Sequence, residues 1–202
     1  MLEVDTPHGP ANVHLHPADE PKAALVLGHG AGGGVTSGDL VAVTETARDE
    51  GCSVALVEQP YRVAGRRSPA PAHQLDAAWI AVVEYLRAGA LHGLPLVVGG
   101  RSLGARVACR TAEETGAVGV LCVAFPLQPP RRSGKTAPPS RLPELDGVRV
   151  PMLVIQGARD PFGIPGESRT RTVVEVPGTH GVSKDLVAVG AAVRAWLPGV
   201  VG

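Results

Sequence analysis

An α/β fold, with a mostly parallel sheet and helices on both faces, follows from three observations on this chain. Short runs of Val, Leu and Ala alternate with stretches whose apolar residues recur at helical spacing. The apolar runs lack polar alternation, as strands buried on both faces do. Gly and Pro mark the boundaries between the two kinds of segment.

Leu2–Thr6 and Ala11–Leu15 flank Pro-His-Gly-Pro and read as an antiparallel hairpin on the sheet edge. Strands are predicted at Ala23–Leu27, Ser53–Val57, Pro95–Val98, Val118–Ala124 and Met152–Gln156, with the less apolar Thr172–Val176 as a sixth. Between them, Asp39–Glu50 carries Leu40, Val43, Thr44 and Ala47 on one stripe and stops at Gly51. His73–Ala88 aligns Leu75, Trp79, Val82 and Leu86. Leu103–Thr115 ends at Gly116, a C-capping residue. Lys184–Leu197 takes Ser183 as its N-cap, turns Leu186, Val189, Val193 and Trp196 inward, and is stopped by Pro198 and Gly199. Strands alternating with helices give a parallel sheet whose ligand site lies at the carboxyl ends of the strands.

Length and charge narrow the function classes. The 202 residues correspond to a single domain over residues 1–202. Nineteen basic residues balance nineteen acidic ones, which gives no support for nucleic acid or a charged membrane as partner. The opening MLEVDTPHGP has no secretory pattern, and the longest apolar run, AVGVLCVAF, is about half a membrane span. A soluble, cytoplasmic protein is expected. Cys52, Cys109 and Cys122 are odd in number and far apart, and fit neither a disulfide framework nor a zinc site. No metal or organic cofactor is expected, and the oligomeric state is left open.

The run LVVGGRSLGARVA over residues 96–108 carries the chemistry. It reads as strand, sharp turn and helix around G-x-S-x-G, with Ser102 at the centre. Such a turn needs nearly side-chain-free neighbours, supplied by Gly100 and Gly104. Ser102 then sits at a helix N-terminus, where free N–H groups and the helix dipole favour negative charge. A Gly-rich turn with a helix-capping serine would show the same five residues, so the rest of the chain has to decide. After the strand Met152–Gln156 comes Gly-Ala-Arg-Asp160-Pro, and after Thr172–Val176 comes Pro-Gly-Thr-His180-Gly. Either alone is an ordinary turn. Together, each behind its own strand and in the order Ser102, Asp160, His180, they match a hydrolase triad. The loop GHGAGGG behind Ala23–Leu27 lacks the Lys-Ser/Thr ending of a phosphate loop and suits an oxyanion loop. There the N–H of Ala31 pairs with that of Leu103.

Through the motifs LGHGAGG, QPYRVAGRRSPAP, GGRSLGARVA, QGARDPFG and PGTHGV, residues 20–198 resemble a small, cap-less α/β-hydrolase of the dienelactone-hydrolase-like group. The motifs look closest to a bacterial branch related to a testis-expressed protein and to a subunit of a chromatin-associated acetyltransferase complex. The resemblance implies a nucleophile at Ser102, an acid at Asp160 and a base at His180, with oxyanion donors at Ala31 and Leu103. Dienelactone hydrolases carry a Cys nucleophile where Ser102 stands, so that activity is not implied.

A serine hydrolase acting on small esters or thioesters is the leading expectation, with a small acyl compound as partner. Acyl transfer by the same triad and a non-catalytic scaffold on the same fold stay open. Arg62, Arg66 and Arg67 lie after the strand Ser53–Val57, and Arg131, Arg132, Lys135 and Arg141 lie in the Pro-rich connection 125–150. That connection is long enough for a flap and too short for a cap domain. A basic rim of this kind would attract an anionic acyl substrate, and a solvated arginine-rich surface would look alike. Trp79 and Trp196 fall on helix stripes, so no sugar-stacking platform is expected.

Overall fold

The computed structural model describes residues 1–129, 136 and 138–202. Its centre is an eight-stranded sheet. β1 (Leu2–Val4) and β2 (Ala11–His16) form the antiparallel edge pair, and β2 also runs antiparallel to β4 (Cys52–Glu58). The rest are parallel: β3 (Ala23–Gly28), β4, β5 (Leu96–Arg101), β6 (Gly119–Val123), β7 (Met152–Gly157) and β8 (Arg171–Val176). Their order, β1-β2-β4-β3-β5-β6-β7-β8, reverses direction at β3. The chain leaves β3 for β4 on one side, and β5 lies on the other. The loops after β3 and β5 therefore part, and a crevice opens at the strands' carboxyl ends.

Alternate residues of each central strand feed two apolar layers. Leu25 and Leu27 of β3 pack with Leu40, Val43 and Ala47 of α1 (Gly38–Asp49) and with Val189 and Val193 of α6 (Leu186–Trp196). Ala24 and Val26 face the other way, onto Leu75, Trp79, Val82 and Leu86 of α3 (Ala72–Ala88) and Ala105 and Ala108 of α4 (Leu103–Thr111). The first turn of α4 lies on the backbone of β3, since a Cβ on Gly104 would run into Gly28. Burial on both faces of these strands explains their unbroken apolar runs.

Several boundaries differ from the sequence expectation. β6 starts at Gly119, where pairing with β5 begins, leaving Val118 exposed before it, and Ala124 leaves the strand with φ +51°. The regular part of α4 ends at Thr111, yet the chain keeps turning to Gly116. There Ala117 N–H donates to the Ala112 carbonyl and Gly116 N–H to that of Glu113, the two bonds of a Schellman cap. Ser183 does not cap α6: Asp185 does, its carboxylate accepting from Ala188 N–H at 2.9 Å. Leu186, expected inward, is the first residue of the helix and is exposed, while Val189 and Val193 stay buried. Pro198 does not stop helical structure; it sits in the first turn of α7 (Pro198–Val201), where its missing N–H costs nothing.

Two short helices escaped the sequence reading. α2 (Pro60–Val63) follows β4, and α5 (Leu142–Asp146) ends the Pro-rich connection. Glu144 of α5 pairs with Arg106 and Arg110 of α4, and Arg110 also grips Asp76 of α3. The end of that connection is therefore fastened to the body by ion pairs. Arg131, Arg132 and Lys135 lie outside the described residues.

Candidate active site

Backbone geometry at the end of β5 sets the site. Ser102 has φ +52° and ψ −104°, a conformation costly for any residue with a Cβ. Its N–H donates to the Val123 carbonyl at 2.9 Å, which anchors the turn to the end of β6. Gly100, at φ +156°, has no room for a Cβ against the backbone of Gly28. The strained turn therefore depends on three close backbones, Gly28, Gly100 and Gly104.

Three strand ends then converge. Ser102 Oγ lies 2.9 Å from His180 Nε2, and His180 Nδ1 lies 2.8 Å from Asp160 Oδ2. The Asp160 side chain is fully enclosed and that of His180 is 21% exposed. Backbone bonds tie the acid loop to the histidine loop: Ala158 N–H donates to the Val176 carbonyl and Arg159 N–H to that of Gly178. The ring of Phe162 covers His180, with centroids 4.4 Å apart.

Asp160 is held by more than His180. Its Oδ1 accepts from Phe162 N–H at 2.9 Å, and its Oδ2 accepts from the Gln156 amide at 2.8 Å. The same amide reaches the carbonyls of Phe125 and Gly163, while Gln156 Oε1 accepts from Phe125 N–H. Sequence reasoning missed this residue, although one glutamine in the run MLVIQG was a signal. A polar side chain buried on both faces has to find partners.

The loop after β3 is clamped from behind. His29 donates from Nδ1 to the Gly30 carbonyl at 2.8 Å, and its Nε2 accepts from Gln59 N–H at 3.1 Å. Those partners fix the neutral tautomer. Burial lowers the His29 pKa, only partly offset by the bond to Gly30. The Tyr61 hydroxyl donates to the Ala31 carbonyl at 3.2 Å, and burial pushes its pKa up to about 12, so the donor keeps its proton. Among the described residues, the N–H groups of Ala31 and Leu103 have no intramolecular acceptor.

The arginines named from the sequence separate. Arg62, in α2, carries its charge near His29 and Tyr61, and its Nε is enclosed without a partner among the described residues. Arg66 lines a hollow of about 350 Å³ with His8, Gly9 and Pro10 of the edge hairpin, and none of Ser102, Asp160 or His180 lines it. Arg67 is exposed. Arg141 donates to the Pro126 carbonyl and so is bound to backbone. Among the described residues, no three His, Cys, Asp or Glu side chains group to hold a metal ion. No helix there is long and apolar enough to cross a membrane.

Residues 21–181 match the family model described as an alpha/beta hydrolase domain. The chain belongs to the alpha/beta hydrolase family. No curated protein matches it in sequence. Among solved structures, this alpha/beta hydrolase is similar to a serine hydrolase without a lid from Xanthomonas campestris. The TM-score is 0.78 at 20% identity, over 98% of this chain and 93% of the other. It is also similar to a dienelactone hydrolase from Anabaena variabilis, with TM-score 0.78 at 16% identity over 98% and 96%. Est1E from Butyrivibrio proteoclasticus, in a structure with ferulic acid bound, gives 0.75 at 17% identity over 99% of both chains. At these identities the likeness is one of fold. The alpha/beta hydrolase architecture without a cap agrees with the sequence expectation.

Proposed function

We propose that this protein is a serine hydrolase that cleaves small esters or thioesters through an acyl-enzyme on Ser102. The observation that carries the reading is the unbroken chain from Ser102 Oγ through His180 to an enclosed Asp160, at 2.9 and 2.8 Å. His180 takes the Ser102 proton as the hydroxyl attacks the acyl carbon. Asp160 holds the imidazole with Nδ1 protonated and stabilises the imidazolium that forms. The developing oxyanion is received by the N–H groups of Ala31 and Leu103, each such donor lowering the barrier by about 3 kcal/mol. His180 returns the proton to the leaving alcohol or thiol, then activates water to release the acid. Neither half-reaction requires a metal or organic cofactor.

The test is intact-mass analysis after treatment with a fluorophosphonate. One adduct at Ser102 is expected, and none in Ser102→Ala. Labelling at another serine rejects Ser102 as the nucleophile, and no labelling of folded protein returns the fold to a scaffold role. Product analysis with added alcohol or amine separates hydrolysis from acyl transfer.

A further inference from the structure

We propose that Arg101 is a positioning residue, a brace that fixes the oxyanion loop and the histidine loop against the turn carrying Ser102. The proposal rests on the reading of Ser102, Asp160 and His180 given above. Arg101 directly precedes Ser102, and its guanidinium spans three elements. Nε donates to Asp39 Oδ2 at 2.8 Å. Nη2 reaches the carbonyl of His180 at 3.4 Å. Nη1 lies against Gly30, where a Cβ would come within 2.6 Å of it.

The anchor is well built. Asp39 is only 2% exposed and stands in the first turn of α1, where its Oδ1 accepts from Leu40 N–H at 2.9 Å. A carboxylate there is stabilised by the helix dipole and keeps the arginine charge compensated. From that fixed point the planar fork reaches the backbone of the catalytic base. It also reaches the residue before Ala31, whose N–H faces the reacting oxygen in the proposed mechanism. Arginine suits the task because one rigid group can hold several acceptors at set angles. Gly30 is the matching element, since any side chain there displaces the fork.

A plain structural ion pair would alter stability and leave the rate of the folded protein alone. A brace does more: misplacing reacting groups by about 1 Å costs on the order of 100-fold in rate. The experiment compares wild type, Arg101→Ala, Gly30→Ala and the double variant. Each is followed by the rate of fluorophosphonate labelling at Ser102 and by kcat and KM on a p-nitrophenyl ester. Arg101→Ala is expected to label about 10- to 100-fold more slowly, with kcat lowered and KM within about twofold. Added methylguanidinium should restore part of the rate. Gly30→Ala should be slow in the wild-type background, and the double variant no slower than Arg101→Ala, because both changes remove the same contact.

Labelling of Arg101→Ala at the wild-type rate, or additive effects with no rescue, overturns the brace. If Arg101→Ala does not fold, Gly30→Ala decides: slow labelling of folded protein supports the brace and wild-type labelling rejects it. If wild type itself does not label, the catalytic reading has failed and hydrogen–deuterium exchange judges the brace separately. Peptides over 29–33 and 178–183 should exchange faster in Arg101→Ala, and unchanged exchange rejects it.

Discussion

Ser102 sits in a backbone conformation that its neighbours impose, and each residue behind it has a checkable share. Asp160→Asn should keep the fold and lower kcat by several orders of magnitude, about 10⁴-fold in serine proteases, because the amide favours the wrong imidazole tautomer. A loss under about tenfold would assign the acid elsewhere. Asp146 is unsuited, since it pairs with Arg171. The two histidines near the site should behave differently. His180→Ala should match Ser102→Ala in lost turnover, as members of one catalytic unit do. His29→Ala should act through loop placement, since both ring nitrogens of His29 already have backbone partners. Gln156→Leu removes partners from Asp160 and from the Phe125 N–H in one change. Each buried group left unpaired costs about 1–3 kcal/mol, so a lowered thermal midpoint together with a lowered kcat is expected.

Among the elements, α4 links the turn that carries Ser102 to the far side of the molecule. Its first turn lies on the β3 backbone, and its last turn closes on Gly116 at φ +64°. Gly116→Ala must hold a Cβ in a left-handed conformation, at a cost of about 1–2 kcal/mol. In a chain of this size that is a fall in Tm of about 2–8 °C, measurable by calorimetry. Turnover of the folded variant should be unchanged, because Gly116 caps the end of the helix remote from Ser102. The outer face of α4 carries Arg106 and Arg110, whose pairs with Glu144 and Asp76 join α4 to α5 and α3. These are half-buried pairs of modest worth, and their effect is to hold the end of the Pro-rich connection in place.

Across the whole molecule, pH and salt are the informative variables. Burial of His29 lowers its pKa below the ordinary 6.5. As pH falls below about 6.5 the unfolded chain takes up a proton that the folded state refuses, so stability drops until the folded-state value is reached. The slope from this group is at most about 1.4 kcal/mol per pH unit. His16, lowered mainly by burial and then by Arg48, adds to the same trend. Denaturant midpoints measured between pH 8 and 5 should fall, and His29→Gln should flatten the curve. Substrate charge is tested at the same scale. Arg62, whose charge lies near His29 in the loop after β3, should lower KM for an ester with a distal carboxylate relative to its neutral isostere. The preference should shrink as salt rises, since exposed charges are screened beyond about 8–10 Å. Arg62→Ala should abolish it and Arg66→Ala leave it, given the separate hollow that Arg66 lines. Equal KM values for the two esters at low salt would return Arg62 to the general surface.

Alternation of apolar runs and helical stripes determined the parallel sheet from sequence alone, because burial on both faces leaves a one-dimensional pattern. The same holds for the placement of Ser102, Asp160 and His180: each lies in the loop after a strand, and parallel strands bring their carboxyl ends to one rim. Local chemistry marked Gly116 as a cap for the same reason, since a left-handed residue is a property of a few adjacent positions. What the tertiary structure decided depends on contacts between distant segments. Arg101 and Asp39 are ordinary charges until β5 and α1 meet, and Gln156 is only an odd glutamine until the Phe125 backbone closes on it. Asp185, not Ser183, caps α6, because the folded loop places its carboxylate 2.9 Å from the Ala188 N–H. Arg62 and Arg66 are close in sequence, yet one lies near His29 in the loop after β3 and the other lines a hollow with the edge hairpin. Sequence spacing records which way the chain runs, whereas these partners are chosen by how the layers pack.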